Sequence, residues 1–241
     1  MIINIVGGLR ERFVAERRAS VLCSQLSALL PRDASILDVG CGDGFLASQI
    51  MRQRDDLQLQ GIDVLMRPKI YIPIQEFDGI NISLEDNSVD VVMFVDVLHH
   101  TEDPNVLLQE ACRVARQAVV LKDHLRNGFL AHTTLRFMDW VGNAHHGVAL
   151  PYNYWSRQEW MRAFDDLKLS IDEWEDSFQL YSLPTNWLFG RDLHFAARLG
   201  LPTAEDTLRS NSCGSTMPAK RQPVWPGKRF DTSEFAEVRE F

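Results

Sequence analysis

The chain predicts an α/β fold, a parallel sheet with helices on both faces. Three observations predict it. Short apolar runs of strand character alternate with helical patterns between residues 35 and 121. The first run, Ser35–Val39, ends on glycines at alternate positions, Gly40-Cys41-Gly42-Asp43-Gly44, before a helical pattern opens. At 241 residues the chain is long enough to bury one large core.

Each element follows from its local pattern. Residues 9–30 read as a helix, with Phe13, Leu22, Leu26, Leu29 and Leu30 as its apolar stripe and Pro31 as its stop. Ser35–Val39 is a buried strand and Gly44–Arg52 starts the next helix. Leu57–Ile62 alternates apolar and polar residues and ends at Asp63, a second strand. A short strand is expected near Ile74–Phe77 inside a mostly irregular 64–88. Val89–Val95 is a strand rich in Val and Phe. Asp103-Pro104 supplies an N-cap with proline at N1, and Leu107, Leu108, Ala111 and Val114 share one face of the helix it begins. Ala118–Leu121 is a further apolar strand.

Residues 125–155 break this rhythm and read as an insertion. Ser156-Arg157-Gln158-Glu159 is a capping box for a helix striped by Trp160, Phe164 and Leu167. Leu169–Trp174 and Leu193–Leu199 complete the sheet. Residues 1–201 thus form a single domain, and the polar, aperiodic 202–241 is expected to be a flexible tail.

Composition narrows the function classes. Apolar content of 45% and charged content of 24% are those of an ordinary globular protein. Charges balance within 201–241, so the folded body carries the net −8, and such a body is a poor partner for nucleic acid. No apolar run is long enough for membrane insertion, and Ile2–Val6 is too short for a signal segment. Cys23, Cys41, Cys112 and Cys213 are scattered without metal-finger spacing, which suggests free thiols and a cytoplasmic location.

The glycine turn is a nucleotide-cradling device, and its G-x-G-x-G spacing differs from the G-x-G-x-x-G of dinucleotide binders. Asp63, at the end of the second strand, can accept hydrogen bonds from two ribose hydroxyls. Asp78, after the next apolar stretch, can accept from an adenine amino group. Asp38 and its acidic surroundings suit a cationic ligand better than a pyrophosphate.

Leu37–Phe45, Gly61-Ile62-Asp63, Phe77-Asp78-Gly79 and Ser88–Val92 together resemble the class I S-adenosylmethionine-dependent methyltransferases. The similarity is to the small-molecule (type 11-like) group with a Leu-His-His segment, here Leu98-His99-His100, and it covers roughly 30–122. It implies a Rossmann-like, doubly wound, mostly parallel sheet of seven strands with an antiparallel last strand. It further implies S-adenosyl-L-methionine as cofactor. Gly40 and Gly42 would line its methionine part, Asp63 would hold the ribose, and Asp78 with Gly79 would border the adenine. Asp38, and Val95 at the end of the fourth strand, complete the cofactor set. Rival readings are an inactive S-adenosylmethionine-binding module and an NAD-dependent oxidoreductase.

Methyl transfer from a sulfonium chiefly requires positioning of the acceptor, with a base where the acceptor is protonated. His99 and His100 follow the fourth strand, His124 follows the fifth, and His145 and His146 lie in the insertion. His124 is the expected general base with Asp123 orienting it, and His100 is a second candidate. Asp123, His124 and His145 or His146 could instead gather a metal. No i, i+4 histidine pair supports that, so no metal is expected. Arg136–Gly147 and Pro151–Trp155 interleave aromatic and polar residues, the composition of a lid over an apolar or aromatic small-molecule acceptor.

Overall fold

A computed structural model describes residues 17–143, 151–178 and 193–202. Its seven strands are β1 (Ser35–Val39), β2 (Gln58–Asp63), β3 (Ile74–Glu76), β4 (Val89–Val95), β5 (Ala115–His124), β6 (Ser170–Glu175) and β7 (His194–Gly200). The helices are α1 (17–29), α2 (Phe45–Gln53), α3 (Pro104–Val114), α4 (Ala131–Asn143) and α5 (Arg157–Asp166).

The strand order is β3-β2-β1-β4-β5-β7-β6. β1 to β5 pair in parallel, and β7 runs antiparallel to both β5 and β6. This is the doubly wound sheet expected, with its antiparallel last strand. The order reverses beside β1, so β1 and β4 part there and open a crevice beyond their carboxyl ends. One apolar cluster, centred on Phe94, Leu108, Val119, Trp160 and Phe195, lies on one face. A second, with Leu26, Ile36, Ile50 and Met93, lies on the other. Alternation along β4 explains the division, since Met93 and Phe94 must point to opposite faces.

Caps behave as their residues dictate. The Asp103 side chain accepts from Asn105 N at the start of α3, and Ser156 with Glu159 closes the capping box of α5. Among the described residues no helix is long and apolar enough to cross a membrane. Residues 9–16 of the expected first helix and all but residue 202 of the expected tail lie outside the described residues.

Two expectations need correcting. The fifth strand is longer than Ala118–Leu121, because β7 pairs with it as far as Asp123↔Phe195 and His124↔His194. Lys122, Asp123 and His124 therefore belong to the strand, and His124 does not follow it. The insertion also contains a helix, α4, whose Ala131 and Leu135 pack with Tyr154 and Leu193 in a small satellite core.

Candidate active site

At the end of β1 the backbone turns on itself. Gly40 (φ 71°), Gly42 (φ 64°) and Gly44 (φ 77°) all occupy the left-handed region that side chains rarely tolerate. A Cβ on Gly40 would lie 2.6 Å from Val97 Cγ2, so the turn sits hard against the end of β4. A Cβ on Gly42 would meet nothing within 4 Å, because that residue faces open space. Gly40 N donates to Ile62 O at 2.7 Å. Asp63 accepts from Gly42 N at 2.7 Å and from Leu65 N at 2.8 Å, tying the turn to β2.

A cavity of about 1110 Å³ opens over this turn, slightly larger than most ligand pockets. Asp38, Gly40, Gly42, Asp63, Gly79, Val95 and His100 all line it. Asp78 does not. Its carboxylate closes its own loop, accepting from Ile80 N at 2.8 Å, Asn81 N at 2.6 Å and Asn81 Nδ2 at 2.8 Å. Those bonds, led by the Asn81 side chain, hold its pKa below the ordinary carboxylate value. Phe77 and Ile80 stand on the wall in its place.

The wall is acidic. Asp38, Asp43, Asp63, Asp96, Glu102 and Asp103 line it against Arg18 and Arg67. Burial, reinforced by Asp63, pushes Asp38 up to about 8. A ligand carrying positive charge would relieve that crowding, and a pyrophosphate would aggravate it.

Beyond Asp96 and His100 the wall is backed by a buried polar cluster. Asp96, itself in the left-handed region (φ 57°), pairs with Arg18 of α1 and with Lys122. Lys122 is fully buried and its Nζ also lies 3.3 Å from His194 Nδ1. Asp123 accepts from Leu98 N at 3.0 Å and from His124 N at 2.7 Å, and lies 2.6 Å from His99 Nδ1. That His99 contact is the shortest side-chain contact Asp123 makes. His124 Nδ1 is farther, 3.4 Å from both Asp123 Oδ1 and His99 Nδ1.

His124 is buried and does not line the cavity. Burial first, then the charges of Lys122 and His99, lower its pKa to about 4. His100 differs. Its ring is on the cavity wall, its Nε2 is 3.7 Å from Asp139 Oδ1, and its Nδ1 is buried without a hydrogen-bond partner among the described residues. The Nε2 edge thus faces Asp139, which is buried and does not line the cavity. Burial and the neighbouring His99 lower the pKa of His100, favouring the neutral form.

Sequence reading missed Arg18, Asp96, Lys122, Asp139, Tyr154 and His194 as members of this cluster. The Lys122-Asp123-His124 run was its one local signal, since three polar residues at a strand end in an apolar context call for partners. His145 and His146 lie outside the described residues. No described residue of 125–155 lines the cavity. Its aromatics divide instead, with Tyr154 buried and Phe129, Phe137 and Trp140 exposed.

Comparison with known proteins matches this geometry. A family model described as a methyltransferase domain matches residues 11–173, more than half of the chain. The chain belongs to that methyltransferase-domain family. Among solved structures, geranyl diphosphate C-methyltransferase from Streptomyces coelicolor A3(2) superposes with TM-score 0.58 at 14% identity, covering 76% of each chain. It was solved with Mg2+, geranyl-S-thiolodiphosphate and S-adenosyl-L-homocysteine. A Haloferax volcanii complex of the Trm112 methyltransferase activator with a methyltransferase gives TM-score 0.57 at 16% identity, covering 80% of this chain and 94% of that one. A SAM-dependent methyltransferase from Thermotoga maritima gives 0.56 at 15%, covering 82% and 96%. No curated protein matches the chain by sequence.

Proposed function

We propose that the protein transfers the methyl group of S-adenosylmethionine to a small-molecule acceptor that enters at the His100 end of the cavity. The acidic wall over the left-handed glycine turn carries this reading. Gly42 leaves space beside the backbone, Asp63 presents a buried carboxylate, and six acidic residues face two guanidiniums, a setting for a cationic nucleoside. S-adenosylmethionine, when bound, supplies an electrophilic methyl group on a sulfonium. Asp38, Gly40, Gly42 and Asp63 would hold it, with Phe77, Gly79 and Ile80 beside its base and Val95 at the floor.

The chain's own residues then orient the acceptor and keep it next to the donor. Of the three catalytic candidates, His100 is the one on the cavity wall. His124 and Asp123 sit behind it as positioning residues that hold His99 and the end of β5. The insertion supports this end from the rear, through Asp139 and Tyr154, whose hydroxyl donates to Asp139 Oδ2 at 2.8 Å.

Calorimetry with S-adenosylmethionine, S-adenosylhomocysteine and NAD tests the cofactor. Binding of both sulfur ligands and not of NAD is expected; NAD binding alone would overturn the reading. Release of S-adenosylhomocysteine on addition of a metabolite extract tests turnover. His100→Ala should abolish most of that release while leaving S-adenosylhomocysteine affinity near wild type.

A further inference from the structure

We propose that Nε2 of His99, Nε2 of His100 and the carboxylate of Asp139 form a site for a first-row divalent cation of the zinc or iron(II) type, behind the His100 wall at the acceptor end of the cavity. This deepens the acceptor-end reading of His100 and rests on it. The His124–Asp123 grouping raised from the sequence is a different set of residues.

The donor geometry comes first. The ligand atoms of the three residues all lie within 4.8 Å of one another. His99 Nε2 is 3.9 Å from Asp139 Oδ2, and His100 Nε2 is 3.7 Å from Asp139 Oδ1. Two ligand atoms each about 2.1 Å from a tetrahedral ion stand roughly 3.4 Å apart, so the two contacts to Asp139 need close by only a few tenths of an ångström, while the two imidazoles lie within 4.8 Å of each other. Two imidazoles and one carboxylate are a donor set for borderline transition ions rather than for calcium or magnesium.

The surroundings prepare each donor. His99 Nδ1 is 2.6 Å from Asp123 Oδ1, so this edge of the ring is taken by a carboxylate and Nε2 is the edge left for an ion, which would displace any proton there. A carboxylate behind a histidine in this way is the usual support of a metal-binding imidazole. Tyr154 fixes one oxygen of Asp139. On His100 the Nδ1 is sealed without a hydrogen-bond partner among the described residues, and Nε2 is the atom turned to Asp139. Asp123 and Asp139, both buried, bring two carboxylates to this pair of imidazoles.

The other grouping of donors, His99, Asp123 and His124, is already closed by contacts of 2.6 and 3.4 Å that use His99 Nδ1. An ion on His99 Nε2 avoids that conflict. It would also join the turn after β4 to helix α4. Three protein ligands leave a further position for water or an acceptor oxygen.

Untagged full-length protein, stripped with a chelator, is titrated with cobalt(II) while its visible absorption is recorded, and zinc is then used as competitor. One equivalent of cobalt(II), displaced by zinc, is expected, together with a rise in the thermal midpoint. Asp123→Asn, which only orients His99, should weaken uptake by about 10–100-fold. His100→Ala and Asp139→Asn should weaken it more, and the exposed His132→Ala should leave it unchanged. Thermal unfolding of each variant, with His100→Gln as a second substitution, separates lost ligation from lost fold. Absence of a stoichiometric site, or uptake indifferent to His100 and Asp139 in folded variants, would overturn the proposal. S-adenosylhomocysteine release by wild type without any bound ion would do the same, while leaving the acceptor-end reading intact. If instead His100→Ala leaves that release unaltered, the acceptor-end reading itself falls.

Discussion

At the end of β1 the cavity wall is backbone, shaped by three left-handed glycines and pinned by one carboxylate, Asp63. At the ends of β4 and β5 it is side chain, Arg18, Asp96 and His100, backed by a buried lattice of Lys122, His99, Asp123 and Asp139. The first half keeps its polar atoms near the cavity, where water or ligand can reach them. The second seals them under the wall, where each depends on its neighbours. A change in the first half should therefore be felt in ligand affinity, and a change in the second in the stability of the fold.

The largest expected effect lies in the second half. Lys122→Met removes a fully buried ammonium and leaves Asp96 with Arg18 and the more distant His124. Breaking such a pair costs about 3–5 kcal/mol, or a thermal midpoint lower by roughly 6–20 °C in a chain of this size. Differential scanning calorimetry reads this directly. A shift of only a degree or two would erase the contrast between the halves.

Next is Asp63→Ala. It removes a charged acceptor from two backbone donors, one of which, Gly42 N, belongs to a residue on the cavity wall and can turn to water. The fold should lose little. Hydrogen bonds to a charged group contribute about 1.5–3 kcal/mol, so S-adenosylhomocysteine affinity should fall roughly 10–100-fold by calorimetry. Unaltered affinity would take Asp63 out of the site.

The same contrast explains what could be read from sequence. The glycine turn is a local device, so the spacing of Gly40, Gly42 and Gly44 already announces positive φ and a close approach. Gly79, set beside the adenine by the resemblance, and Val95, by its place at a strand end, both line the cavity. Asp78 shows the limit of that rule, because an aspartate after a strand can cap its own loop, and Asn81 supplies the partner. The second half arises from pairings distant in sequence. Register between β5 and β7 sets His124 against His194 and carries the strand three residues past its apolar core, so His124 becomes a buried residue. Asp139 reaches His99 and His100 from α4, and no spacing along the chain encodes that meeting.

The smallest expected effect concerns Asp38, and it sharpens the contrast from the other side. Its pKa near 8 means that around neutral pH the folded chain holds a proton that an unfolded aspartate has released. The unfolded state therefore binds fewer protons, and stability falls as pH rises from about 4 to about 8 on account of this group. His124 acts in the opposite window, since its lowered pKa costs stability as pH falls from about 6.5 towards 4. His99, held up mainly by Asp123, adds its own loss as pH rises, so only the difference between variant and wild type isolates Asp38. Asp38→Asn keeps the shape and removes the titration. Its advantage in thermal midpoint over wild type should be near zero at pH 4 and grow towards pH 8, at roughly 2–4 °C per kcal/mol. S-adenosylmethionine affinity should fall in the same variant, as expected of a carboxylate kept for a cationic ligand at the expense of the fold. A difference that stays flat between pH 4 and 8 would show that Asp38 ionises freely, and the acidic crowding of the cofactor half would then lie elsewhere on its wall.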